Sequence, residues 1–192
     1  MFMMGFSAPI FAQVSPPPSP PTQYQVCEGT FALCTTAICS GTAQDQNVDC
    51  ICTVNKGYSA GGQECRAPAV TPQGTQIYSR FFPIGSYQPC TNPPSASSPW
   101  AWCLDKQCLI DKDNPTIAHC QCGNVTTASY SGLPSFPYII VTGQVTSTLC
   151  QNGINYSSAT VSDATNINNA FNEYLKKNNP YPLSTPTALQ LK

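Results

Sequence analysis

CTTAICSGTAQDQNVDCIC, residues 34–52, decides the fold, because it is spelled a second time as CLDKQCLIDKDNPTIAHCQC, residues 103–122. Both stretches carry C-x4-C, then 10 or 11 residues, then C-x-C. Outward from them the chain holds two sets of six cysteines. Cys27, Cys34, Cys39, Cys50, Cys52 and Cys65 have gaps of 6, 4, 10, 1 and 12 residues. Cys90, Cys103, Cys108, Cys120, Cys122 and Cys150 have gaps of 12, 4, 11, 1 and 27. An even count in sets of six reads as a disulfide framework, and so as an oxidising compartment. The flanks agree: Phe31-Ala32-Leu33-Cys34 aligns with Trp100-Ala101-Trp102-Cys103, and Tyr58-Ser59-Ala60-Gly61 resembles Tyr130-Ser131-Gly132. Internal duplication is the expectation.

Only 9% of the 192 residues are charged and the net charge is −1. No cluster of cations is available to displace counterions from nucleic acid, nor to hold an anionic membrane surface. Residues 1–12, ending in Met3 to Ala12 (MMGFSAPIFA), resemble the remnant of a secretory signal peptide cleaved after Ala12, without a basic n-region. The stretch is too short to span a bilayer, which needs about 20 apolar residues. Residues 13–26 form a Pro-rich linker, with five prolines between Ser15 and Thr22. The expected location is secreted or periplasmic.

The remaining organisation follows from turn residues and periodicity. Residues 27–66 are the first six-cysteine module, 67–89 a connecting segment, 90–150 the second module, and 151–192 a C-terminal helix and tail. Gln76 to Phe82 is β-branched and aromatic and reads as a strand. Tyr138–Thr142 and Val145–Leu149 flank Gly143-Gln144 as a hairpin. Val161, Ala164, Ile167, Phe171 and Leu175 give one helical stripe, capped by Ser158 or Thr160, with Asp163 in the first turn and Lys176 and Lys177 in the last. Asn178-Asn179-Pro180 ends it, and the stripe is expected to pack on the second module. The fold class is a small disulfide-rich one, mainly β with little regular structure, with two duplicated modules and one C-terminal α-helix.

The first module resembles an EGF-like module. It has six cysteines, a single residue between the fourth and fifth (Cys50-Ile51-Cys52), and a Gly57-Tyr58 pair before Cys65. That resemblance implies Cys27–Cys39, Cys34–Cys50 and Cys52–Cys65 bridges. Spacing alone leaves all 15 pairings open. If both sets share one connectivity, the second would hold Cys90–Cys108, Cys103–Cys120 and Cys122–Cys150, with no bridge joining the sets. The second module departs from the EGF-like pattern in its outer gaps and is similar to uncharacterised cysteine-rich exported bacterial proteins.

Catalytic and metal chemistry have little to use. No G-x-S-x-G, H-E-x-x-H or C-x-x-C occurs, and His119 is the sole histidine. Neither a catalytic residue nor a cofactor is assigned. Asp111-x-Asp113-Asn114 begins like a calcium loop but lacks its glycine and has Cys122 where the bidentate Glu belongs, so it reads as a turn. The C-x-C pairs with His119 do not match thiolate zinc spacing, and no metal site is assigned. Asn124-Val125-Thr126 and Asn155-Tyr156-Ser157 fit the glycosylation pattern at about the frequency of chance. The expected function is a non-catalytic interaction module binding an extracellular protein or glycan surface, with Tyr87, Trp100 and Tyr130 as candidate aromatic anchors. One alternative is a secreted hydrolase using Asp105, Asp111 and Asp113; another is an inhibitor or toxin-like effector.

Overall fold

A computed structural model describes residues 23–42, 45–84, 88–90, 100–125, 138–140 and 157–178. Successive side chains on a strand point to opposite faces, so C-x-C sets both cysteines on one face. In β2 (Asn47–Gly61) Val48, Cys50 and Cys52 are buried, whereas Asp49, Ile51 and Thr53 face outward. β8 (Ile117–Val125) repeats this with Ala118, Cys120 and Cys122 inward and His119 and Gln121 outward. The two strands pair antiparallel, and Cys50 lies opposite Cys120.

β2 also pairs along its length with β1 (Gln25–Ser40), and the register runs from Gln25↔Gly61 to Ser40↔Asp49. Both are longer than the short strands expected, at 16 and 15 residues. β1 begins within the span read as Pro-rich linker. β3 (Ala69–Thr71) and β4 (Gly74–Arg80) form a hairpin in which Gly74 has a φ of 135°, a conformation that favours glycine. The strand expected at Gln76 to Phe82 is β4. It runs parallel to β1 at Ala32↔Ser79 and antiparallel to β7 (Gln107–Ile110), which pairs with β8. β1, β2, β8, β7 and β4 thereby close into a ring. From β8 the sheet continues through β6 (Trp100–Trp102) and β10 (Ser157–Thr160) to β9 (Tyr138–Ile140) and β5 (Gln88–Cys90). The second strand of the Tyr138–Leu149 hairpin, the signal-like segment and the tail lie outside the described residues.

The two cysteine stretches make one ladder twice. Cys39 faces Cys50 on β1 and β2 as Cys108 faces Cys120 on β7 and β8. Leu33↔Thr53 corresponds to Trp102↔Gly123, and the parallel pair Ala32↔Ser79 to Ala101↔Ser157. Hydrogen bonds follow suit. Ser79 Oγ donates to the Cys103 carbonyl and accepts the Lys106 amide (2.8 Å), while Ser157 Oγ donates to the Cys34 carbonyl and accepts the Ala37 amide (2.9 Å).

The bridges are nested. They join Cys27–Cys65, Cys34–Cys52 and Cys39–Cys50 in the first set, and Cys103–Cys122 and Cys108–Cys120 in the second. This corrects the pairing carried over from the EGF-like resemblance and its copy in the second set. Cys27 and Cys39 lie on the same strand, 12 residues apart, which at roughly 3.3 Å per residue puts them far beyond bridging distance. Cys103 and Cys108 likewise take Cys122 and Cys120, so neither Cys103–Cys120 nor Cys90–Cys108 forms, and Cys122 is not available to Cys150. The described bridges do keep one connectivity in both sets, and none crosses between them. A four-residue bulge, Cys34 to Ala37 opposite Cys52, gives the Cys34–Cys52 bridge its place.

Eight of these sulfurs fill the interior, all with side chains 5% exposed or less, and Cys34 Sγ lies 3.5 Å from Cys120 Sγ. Ile77, Phe81 and Leu104 complete the core, each worth about 1.5–3 kcal/mol of burial. Trp100 and Phe31, the matched aromatics, are both 2% exposed. Trp100 is therefore a core residue and not a surface anchor; Tyr87 and Tyr130 fall outside the described residues.

The helix α1 (Val161–Asn178) starts and ends where the sequence predicts. It packs on β1 and β2, strands of the first cysteine set, and on β10, which lies beyond both sets. This corrects the expected packing on the second module, which reaches the helix through the Trp102 bond to Asp163. Ala164 and Ile167 are buried, and Leu175 at the stripe's end is 37% exposed. Asn168 ties the helix to Ile84 by two reciprocal 2.8 Å bonds. Thr160 is the cap: its Oγ1 accepts the Asp163 amide (3.0 Å), and Asp163 Oδ2 accepts the Thr160 amide (2.9 Å). Thr160→Ala is expected to cost about 1 kcal/mol, read as a lowered urea midpoint; an unchanged midpoint would remove the cap's role.

Candidate functional site

The acids of the hydrolase alternative take three separate roles. Asp105 turns inward, with a left-handed φ of 58°, and pairs with Arg80 at 3.4 Å, their side chains 10% and 6% exposed. Its other oxygen accepts the Gly62 amide at 2.7 Å, and a Cβ on Gly61 would strike the carboxylate. Burial raises the Asp105 pKa, opposed by the Gly62 amide and the Arg80 charge. Arg80 also donates to the Gln63 and Gln25 carbonyls, at 3.0 and 2.7 Å. Asp111 accepts the Asp113 and Asn114 amides at 2.8 and 2.7 Å, the turn read from the sequence, and these bonds hold its pKa low. Asp113 sits on the surface beside Lys112. The three carboxylates thus have three different sets of partners.

His119 lies between two acids, Asp49 on β2 and Asp111 in the turn that follows β7. Its Nδ1 is 3.0 Å from Asp49 Oδ2 and its Nε2 3.4 Å from Asp111 Oδ2; Gln121 donates to the other Asp49 oxygen at 3.1 Å. The Asp49 hydrogen bond is the main cause of a raised histidine pKa. A raised pKa means stabilisation that is complete below the unfolded value near 6.5 and lost as pH rises through the folded one. The ring is 39% exposed, so the effect is on the scale of a surface pair, about 0.5 kcal/mol. The unmutated protein should exceed His119→Asn in stability by that margin at pH 6 and not at pH 9. An equal margin at both pH values would refute the charged clasp.

Sulfurs of Cys34, Cys52 and Cys103, and of Cys34, Cys108 and Cys120, lie within ligand distance of one another. Each belongs to a disulfide and offers no thiolate. Asn124 is 2% exposed and spends its amide nitrogen on the Thr42 and Asp45 carbonyls, at 3.1 and 2.8 Å. In the folded chain it braces a loop and is closed to glycosylation; Asn155 lies outside the described residues.

The described residues form a groove of about 400 Å³ between the start of β1 and one face of α1. Gln23, Tyr24 and Gln25 form one wall, and Asn166, Asn169 and Tyr174 the other. Tyr24 donates to Asp163 Oδ1 at 2.6 Å, and Trp102 Nε1 donates to Asp163 Oδ2 at 3.2 Å, so one buried acid fixes the wall to the helix. Burial, reinforced by that acid, holds the Tyr24 phenol well above its ordinary range. At the far end Tyr58 meets Tyr174, ring centres 5.4 Å apart and tilted 47°. Their hydrogen bond helps push the Tyr58 phenol up to about 12. The sequence reading missed this site. Its signal was a helix rich in amides, with Asn166 and Asn169 on the groove side, where a merely solvated face usually carries charges. Comparison with protein-family models, curated proteins and solved structures returns no match. Among the described residues no helix is long and apolar enough to cross a membrane.

Proposed function

We propose that this chain is an exported, non-catalytic interaction module, secreted or periplasmic, in which one cysteine unit is used twice as a rigid base for a binding groove. The groove between β1 and α1 carries the reading: it is concave, and amides and aromatic rings dominate its walls. Nested buried disulfides support an oxidising destination. The separate employment of Asp105, Asp111 and Asp113 weighs against the hydrolase alternative, which needs two facing carboxylates. Oxidised, fluorescently labelled protein should bind saturably to a cell-surface or extracellular-matrix preparation from its source. Tyr174→Ala should weaken that binding about tenfold, the loss of one aromatic anchor. Binding indifferent to the substitution would move the site elsewhere, and turnover of the preparation would favour the enzyme.

A further inference from the structure

We infer that the groove's ligand is a neutral oligosaccharide, an inference that rests on the groove being the binding surface. A hydroxyl both donates and accepts, and so does a carboxamide; Gln23, Gln25, Asn166 and Asn169 line a single groove with that capacity. Gln25 Nε2 is committed to the Gln63 carbonyl at 3.0 Å, and Asn166 reaches Ser162 Oγ at 3.4 Å. Gln23 and Asn169 are exposed on opposite walls. Tyr174, in the groove wall and in contact with Tyr58, supplies an aromatic ring on which the C–H face of a sugar can lie. The lining charges, Glu173 and Lys177, cancel. Glu173 is also held by Lys176 at 2.7 Å, and the four charges of the helix, Asp163, Glu173, Lys176 and Lys177, sum to zero, so no net charge selects an anionic or cationic ligand.

Other ligand classes fit less well. A peptide added as a strand needs free backbone groups along an edge; Gln25 and Val26 pair with Gly61 and Ala60 on one side, and the Gln25 carbonyl is also taken by Arg80. An amphipathic helix or a lipid needs apolar walls, and here Val26 and Ala170 are the aliphatic contributors.

The test treats the cell-surface preparation in two ways before adding the oxidised protein. Mild periodate, which cleaves vicinal diols, should abolish binding; protease should leave it. Asn169→Ala, an exposed helix position, should weaken binding at least tenfold with an unchanged melting temperature, and 0.5 M NaCl should change it less than twofold. Loss of binding to protease but not periodate would overturn the sugar inference and keep the interaction reading. Strong weakening by salt would overturn the neutral character of the ligand, and full binding by Asn169→Ala would overturn the groove's role in it. No binding to the untreated preparation would overturn both the sugar inference and the interaction reading.

Discussion

Reduction of the folded protein is expected to proceed in two stages. Cys65 is exposed although its partner Cys27 is buried, so a phosphine should reach that bridge through the Cys65 sulfur first and leave the fold standing. The four interior bridges are shielded by the ring and should resist until the chain unfolds. They close separations of 18, 11, 19 and 12 residues, each worth about 3 kcal/mol in the chain-entropy view. Even at half that value the sum rivals the 5–15 kcal/mol stability of an ordinary domain. Complete reduction should therefore abolish the β-type circular dichroism and protease resistance together. Timed alkylation with peptide mapping reads the order; simultaneous loss of all bridges, or a reduced protein that keeps its dichroism, would contradict the sulfur-filled interior.

Arg80→Met is expected to cost about 3–5 kcal/mol, the range for removing one partner of a buried ion pair. The guanidinium holds Asp105, Gln63 and Gln25 at once, and so joins the turn after β2, the β6–β7 connection and the start of β1. Without it the Asp105 carboxylate stays buried with the Gly62 and Gln63 amides but no opposite charge beside it, and its already raised pKa should climb further. The sign follows: an acid whose folded pKa is raised contributes stability at low pH that is lost as pH rises through that value. Arg80→Met should thus be less impaired at pH 4 than at pH 8. Adding Asp105→Asn should recover part of the loss at pH 8. Urea midpoints of the four proteins in the cycle measure this, and strict additivity would show that the pair is not coupled.

Much of the scaffold was legible in the sequence because it depends on local periodicity. β-Branched and aromatic content marks β4 at Gln76 to Phe82, and the period of Val161, Ala164, Ile167 and Phe171 marks α1. Cys50-Ile51-Cys52 and Cys120-Gln121-Cys122, by contrast, read as bridge spacing and show their strand period in the structure. Bridge partners were not legible, because they follow from strand register: Cys39 meets Cys50 since β1 turns back on β2, a non-local fact. Gln23 to Val26 were hidden by the prolines before them. What makes them a wall is Asp163, 139 residues away from Tyr24 in sequence and bonded to its hydroxyl. Trp100 was ambiguous for another reason. An aromatic matched to Phe31 suits a core as well as a contact surface, and only burial separates the two.

The register around Cys50 and Cys120 has a consequence for assembly. Asp49 faces Gln121 and Ile51 faces His119, so positions one step before a central cysteine face positions one step after its counterpart. That is the geometry of an isologous, self-complementary contact, here held within one polypeptide. Two separate chains meeting this way would have a folded fraction set by their concentration, and dilution would dissolve them. Joined by a linker, the halves see each other at an effective concentration of order millimolar whatever the dilution. The protein should therefore melt at the same temperature at nanomolar and micromolar concentration.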